Sequence, residues 1–158
     1  VGVDAGEGMA LSEEVAVTAL PAAHEEEELD DIGRHRFLGF LFRGGAVSVY
    51  HSGDTVPFDG LIDRLEEEKP QLALLPVNGR DEERRSHGVP GNMTLEEAVE
   101  FLSRGLVGEI IGHHFGLFDF NTLDSEEAET YLSTLPKGLR SRVHLAALSR
   151  EYWLGGET

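Results

Sequence analysis

Three residues of this 158-residue chain have the chemistry and the setting to hold a metal ion: His24, Asp54 and His114. Their segments read PAAHEEEELDD, VYHSGDT and IIGHHFGLF. Each follows an apolar, strand-like run. In α/β sheets the loops at the carboxyl ends of strands diverge and leave a crevice where sites collect. Two imidazoles and one carboxylate brought to such an edge suit zinc, manganese or iron. Taken singly, each residue has a plainer explanation. A lone histidine is most often a core or surface residue, and Ser-Gly-Asp-Thr is an ordinary turn sequence. Spacing alone leaves both readings open. The chain has no cysteine. Disulfides and thiolate sites are therefore excluded, and donors must come from His, Asp, Glu or water. The same absence points to a cytoplasmic setting.

The elements that would position these residues can be read from the pattern of apolar runs. Residues 15–20 (VAVTAL) form a β-type run ending at Pro21. Residues 37–42 (FLGFLF) and 46–50 (AVSVY) flank Arg43-Gly44-Gly45, which predicts a hairpin. Residues 72–77 and 109–112 read as buried strands, and 143–148 as a last strand. Three helices are predicted. One covers 59–68, with Leu61, Ile62 and Leu65 on one face and Pro70 as its stop. A second starts at Thr94, where Glu97 three residues on makes a capping box, and ends near Gly105. A third covers 125–132, with Asp124 and Glu127 repeating the capping pattern and Pro136 closing it. The order is a β-rich start followed by alternating helix and strand, an α/β layout with helices packed on a sheet. Residues 78–92 lack periodicity and read as a long functional loop.

Thirteen basic residues stand against 30 acidic ones, for a net charge of −17. Such a surface repels phosphate backbones, which argues against a nucleic-acid role. No apolar run approaches the roughly 20 residues that span a bilayer, and no secretory signal is visible. The first residue is Val1, and VGVDAGEG reads like the inside of a domain, so a segment of a longer chain is expected.

Six segments in series carry a resemblance: ALPAAHEEE, RFLGFLF, VYHSGDT, LALLPVNGRD, GNMTLEEA and IIGHHFGLFDFNT. Together they resemble the second half of a metallo-β-lactamase-fold hydrolase, and more narrowly its L-ascorbate-6-phosphate lactonase-like branch. The resemblance implies the second half of a four-layer αββα sandwich, with a mixed sheet and helices on its outer face. It implies that His24 ligates one metal, that Asp54 bridges two, and that His114 rather than His113 is the last histidine ligand. Asp54 and His114 are thereby the expected catalytic residues. Asn78, Arg80, Asp81 and Asn92 match the loops beside the pocket and are expected to contact substrate. His51 and His113 are expected to support the ligands from behind. His87 lies in the same loop region, whereas His35 and His144 read as structural. The implied cofactors are two divalent ions, manganese or zinc, which lower the pKa of bound water toward about 7 and polarise the substrate oxygen.

Arg80, Arg84 and Arg85 reverse the prevailing charge locally. Guanidinium forks match carboxylate and phosphate oxygens, so a small anionic ester or lactone, such as a phosphorylated sugar acid, is the expected substrate. The plainer alternative is that these arginines balance Asp81, Glu82 and Glu83. The family's remaining ligands come from an HxHxDH motif that this chain lacks. Residues 1–158 are thus expected to be the C-terminal half of one hydrolase domain. The N-terminal half, or a complementary chain, would be its partner, and a symmetric oligomer is the less favoured arrangement. The segment alone is expected to be inactive. The competing reading is a noncatalytic binding or assembly module that keeps a remnant of the fold.

Overall fold

The computed structural model describes residues 2–154; Val1, on which the reading of an interior start partly rests, lies outside them. The described residues build one seven-stranded sheet whose strands lie in chain order. Strands β1 (Gly8–Ala10), β2 (Val15–Pro21), β3 (Leu38–Gly44) and β4 (Val47–His51) form an antiparallel meander. From β4 onward, β5 (Leu72–Pro76), β6 (Glu109–His113) and β7 (Val143–Leu145) pair in parallel. Parallel neighbours need crossovers. Helix α1 (Asp59–Glu68) supplies the first, α2 (Glu82–Ser86) and α3 (Leu95–Ser103) the second, and α4 (Ser125–Thr134) and α5 (Lys137–Arg140) the third.

Local chemistry explains the boundaries. The β3–β4 hairpin closes at the Gly44–Val47 pair, with Gly45 at φ +59°, the sign a tight hairpin turn requires. Helix α1 stops at Lys69, whose left-handed backbone closes the last turn with its N–H on the Leu65 carbonyl, and Pro70 follows, where a helix cannot continue. At α3 the capping box is complete: Glu97 N–H donates to Thr94 Oγ1 at 3.2 Å, and Thr94 N–H to Glu97 Oε2 at 2.9 Å. At α4, Asp124 accepts from the N–H groups of Glu126 and Glu127. Three elements go beyond the sequence reading: β1, α2 and α5 have three, five and four residues, too few to show a period. Strand β7 ends at Leu145, short of the expected 148. Its partner β6 carries pairing only as far as Gly112–Leu145.

Residues abreast of one another across the strands share a face of the sheet. The row Leu41, Tyr50, Ala73, Ile110 and Val143 faces the helices. It packs with Leu61 and Leu65 of α1, Leu95, Ala98 and Leu102 of α3, and Leu132 of α4. All the helical cover lies on this side. The neighbouring row, Ala19, Phe40, His51, Leu74, Ile111 and His144, faces the other way. There Phe42 and Val47 remain 36% and 43% exposed. Val17 and Ala19 of β2 are buried on this face, and beyond β5 it is sheltered where Tyr152 donates to the Leu145 carbonyl at 2.8 Å and packs against His144. Among the described residues no helix is long and apolar enough to cross a membrane.

Candidate metal centre

His24, Asp54 and His114 meet at the carboxyl end of the sheet, where β2, β4 and β6 hand over to loops. Every residue of the Ser-Gly-Asp-Thr turn after β4 has a separate task. Ser52 is buried; its N–H donates to the Leu74 carbonyl at 3.1 Å, fastening the turn to β5, and its hydroxyl lies 2.7 Å from the Gly53 carbonyl oxygen and 3.2 Å from that of Leu74. Gly53 turns the chain at φ +65°. Thr55, also buried, accepts from Ala23 N–H at 3.0 Å through Oγ1, and Val56 N–H donates to the Ala23 carbonyl at 2.8 Å. These bonds lock the Asp54 turn against the segment carrying His24. Only Asp54 itself is left to project.

His24 Nε2 lies 3.8 Å from Asp54 Oδ2, and His114 Nδ1 lies 3.5 Å from Asp54 Oδ1. Each imidazole therefore faces a different oxygen of one carboxylate. Both separations exceed an ordinary hydrogen bond. They match the spacing of about 3.4 Å between donors arranged tetrahedrally with bonds of roughly 2.0–2.2 Å. His24 Nδ1 is paired with the Gly91 carbonyl at 3.0 Å. With the proton on Nδ1, Nε2 keeps its lone pair for an ion, the usual outer support of a metal-bound histidine. His114 reaches the site from a left-handed backbone, φ +67°, which is uncommon for a residue with a side chain. Each imidazole–carboxylate pair is therefore spaced as two donors to a divalent ion would be. The set is nevertheless a row with Asp54 in the middle: among the described residues no group of three or more His, Asp or Glu side chains is placed to hold a metal ion by itself.

Behind the row stand His51 and His113, their rings 4.9 Å apart. His51 Nδ1 accepts from Gly53 N–H at 3.1 Å, so it braces the turn that aims Asp54. His113 has a buried Nε2 without a partner. Burial, helped by His51 and His114 nearby, pushes its pKa down to about 4, so it stays neutral.

Residues 78–92 do not form a free loop. Gly79 N–H donates to the Met93 carbonyl and Asn92 N–H to the Gly79 carbonyl. Asn78 and Asn92 are both buried, and Asn92 Nδ2 donates to Asn78 Oδ1 at 3.1 Å. Asn92 Oδ1 has no partner. Arg80 and Asp81, expected at the substrate, have tasks inside the fold. The Arg80 fork donates twice to Glu97, at 2.6 Å each, and once to the Asn92 carbonyl at 2.9 Å. Burial would raise the Glu97 carboxyl, but Arg80 and the Thr94 N–H outweigh it and hold it below its usual range. Asp81 caps α2, accepting from Arg84 N–H at 2.8 Å and from Arg84 Nε at 2.6 Å. Its carboxyl is lowered by these Arg84 bonds.

The remaining histidines lie away from the row. His35 Nδ1 is 3.0 Å from Asp4, and His144 Nε2 is 3.5 Å from Glu109. His87 Nδ1 pairs with the Glu83 carbonyl at 2.8 Å. Sequence reasoning missed Gly91 and Asn121. Gly91 works through its carbonyl, which no side-chain pattern reveals. Asn121 Oδ1 accepts from Asn78 Nδ2 at 2.7 Å and from the Arg84 guanidinium at 3.0 Å, tying the loop after His114 to the buried asparagines.

Residues 1–115 match the beta-lactamase superfamily domain, and the chain belongs to that family. A UPF0173 metal-dependent hydrolase of Methanosarcina mazei is 34% identical over 89 residues, 56% of this chain and 34% of that protein. One from Caldivirga maquilingensis is 33% identical over 142 residues, 89% of this chain and 55% of that protein. The chain thus spans about half the length of the longer-matching relative and a third of the other. Among solved structures, an isothiocyanate hydrolase from Delia radicum gut bacteria shares the fold. It has a TM-score of 0.68 at 17% identity, covering 89% of this chain and 55% of that one.

Proposed function

We propose that this chain is part of a metal-dependent hydrolase that cleaves a small ester or lactone. The observation that carries the reading is the placement of two imidazoles on the two oxygens of Asp54. A divalent ion, manganese or zinc, held by His24, Asp54 and His114 with further donors from outside the described residues, would supply acidified water and a Lewis-acid contact for the substrate carbonyl. The chain's own residues orient the reaction. Gly91 fixes the tautomer of His24. His51 and the Ser52 and Thr55 anchors hold the Asp54 turn. Asp54, lying between the imidazoles, would offer one carboxylate oxygen beside each of them to a bound divalent ion. Hydrolysis then adds water across the ester C–O bond, yielding a carboxylic acid and an alcohol.

Two features bear on the substrate. The six matched segments favour the lactonase-like branch. The arginines favour a carboxylic ester or lactone over a phosphorylated one, because Arg80 is paired with Glu97 and Arg84 with Asp81. Of this loop, Arg85 alone keeps loose pairings, 3.3 Å to Glu25 and 3.8 Å to Glu82, and it is the remaining candidate for an anionic group. The uncovered sheet face and the incomplete donor set would be completed together, by an N-terminal half or a complementary chain.

Asp54→Ala in the full-length protein tests the reading. Metal content should fall sharply, and hydrolysis across a lactone and ester panel should drop to background. Retained hydrolysis in the metal-loaded variant overturns the assignment. A noncatalytic module is the second reading, favoured by the absence of a three-donor cage among the described residues. Full-length protein that takes up no manganese or zinc in calorimetric titration would establish it.

A further inference from the structure

The loop that follows His114 exposes three large apolar side chains within four residues. Leu117 is 81% exposed, Phe118 52% and Phe120 65%. Phe118 and Phe120 pack on each other, with ring centroids 5.5 Å apart. Exposed apolar clusters of this kind mark binding surfaces more often than chance. Phe120 also forms one wall of a groove of about 610 Å³, whose other walls are Asp81, Glu83, Arg84, His87 and Val89 of the α2 region. That volume lies within the roughly 300–1,000 Å³ typical of small-molecule sites.

Both walls are built, and both connect to the metal centre. On one side, Asn121 is bonded to Asn78 and Arg84, and Gly116 N–H donates to Thr122 Oγ1 at 2.7 Å, so the loop leaving His114 is held in shape. On the other, Arg85 Nε and Gly91 N–H both donate to Glu25, beside His24, whose ring is paired with the Gly91 carbonyl. The groove therefore lies between the loop leaving His114 and the α2 region, which itself contacts the segment carrying His24 through Arg85. Its electrostatics select against an anion. Arg84 is neutralised by Asp81, and Glu83 adds an uncompensated negative charge at the rim.

We propose that this groove is a subsite for an uncharged apolar arm of the substrate, an acyl chain or aromatic ring, with Phe120 as its specificity-determining residue and Phe118 as its backing. The proposal rests on the hydrolase reading for the identity of the scissile group. The groove's affinity for an apolar chain can be measured without turnover.

The test uses the full-length protein and two readouts. The first is kcat/KM for p-nitrophenyl esters from acetate to octanoate. The second is the Kd of the uncharged acetamide and octanamide by calorimetry. Wild type should prefer the eight-carbon ester by at least about tenfold, the scale that a few extra methylenes can supply in an apolar pocket. Octanamide should bind correspondingly more tightly than acetamide. Phe120→Ala should shrink both preferences to about twofold or less. Val89→Trp, which fills the groove from the opposite wall, should do the same, so the outcome does not depend on one variant folding. A flat ester series together with equal Kd values in wild type overturns the subsite, as does a preference that survives both variants. If no ester is hydrolysed, the hydrolase reading fails by itself, and octanamide binding that is lost in Val89→Trp still supports the subsite. Self-association in sedimentation that Phe118→Asp abolishes assigns the patch to a second copy and also overturns it.

Discussion

A methyl group at Gly53 would stand 2.6 Å from the Leu38 carbonyl oxygen, and its φ of +65° already disfavours a side chain. Gly53→Ala should therefore cost about 1–3 kcal/mol of stability, read as a lowered melting temperature, and should weaken metal uptake by displacing Asp54. His113 makes a second prediction at this scale. Its folded pKa is about 4, below the ordinary 6.5. Above pH 6.5 both folded and unfolded chains hold it neutral, so it contributes no pH dependence. As pH falls from 6.5 to 4 the unfolded chain takes up a proton that the folded chain refuses, and stability is lost. The full shift corresponds to on the order of 3 kcal/mol, reduced by the ring's partial exposure. Denaturant titrations at pH 7 and pH 5 should differ less for His113→Leu than for wild type; equal slopes would contradict the buried, neutral state. Gly53 and Asp54 were legible in the sequence as a turn with a projecting carboxylate. The burial of His113 was not, because it depends on which face of β6 the ring occupies.

Capping and pairing coincide at one carboxylate, and here the element scale takes over. Glu97 closes the capping box of α3 and also holds the Arg80 fork. Thr94→Ala removes one cap bond and should lower stability by about 1 kcal/mol. Glu97→Ala removes the box and leaves a half-buried guanidinium unpaired, so the loss should be larger by about 1–3 kcal/mol. Chemical denaturation of the two variants gives the comparison, and equal losses would mean the Arg80 pair contributes nothing. The capping box was legible from Thr94 and Glu97 alone, as were β2 to β6 and the three longer helices, because each carries a period or a stop signal. The pairing of Arg80 was not legible because the charge pattern of Arg-Asp-Glu-Glu-Arg-Arg says nothing about which acid faces which base. Its partner, Glu97, lies outside that run, on another helix. The short elements β1, α2 and α5 escaped for want of length.

The largest scale joins two kinds of sheet. Resemblance across six segments already implied a mixed sheet with helices on one side. It could not reveal that the change from antiparallel to parallel falls at β4, directly before Asp54. That position has a consequence for how the molecule is made. The turn at Gly45 joins near neighbours along the chain, whereas Leu72 must find Glu109, and Ile110 must find Val143. Closing distant loops costs more entropy and slows pairing. The meander should therefore gain protection early and β6 and β7 late, an order that pulse-labelled hydrogen exchange can read; simultaneous protection would contradict it. Asp54 stands at the end of the early portion and His114 at the end of the late one. The candidate row would then be completed last, because a nascent chain could present His24 and Asp54 before its sheet was finished but not His114.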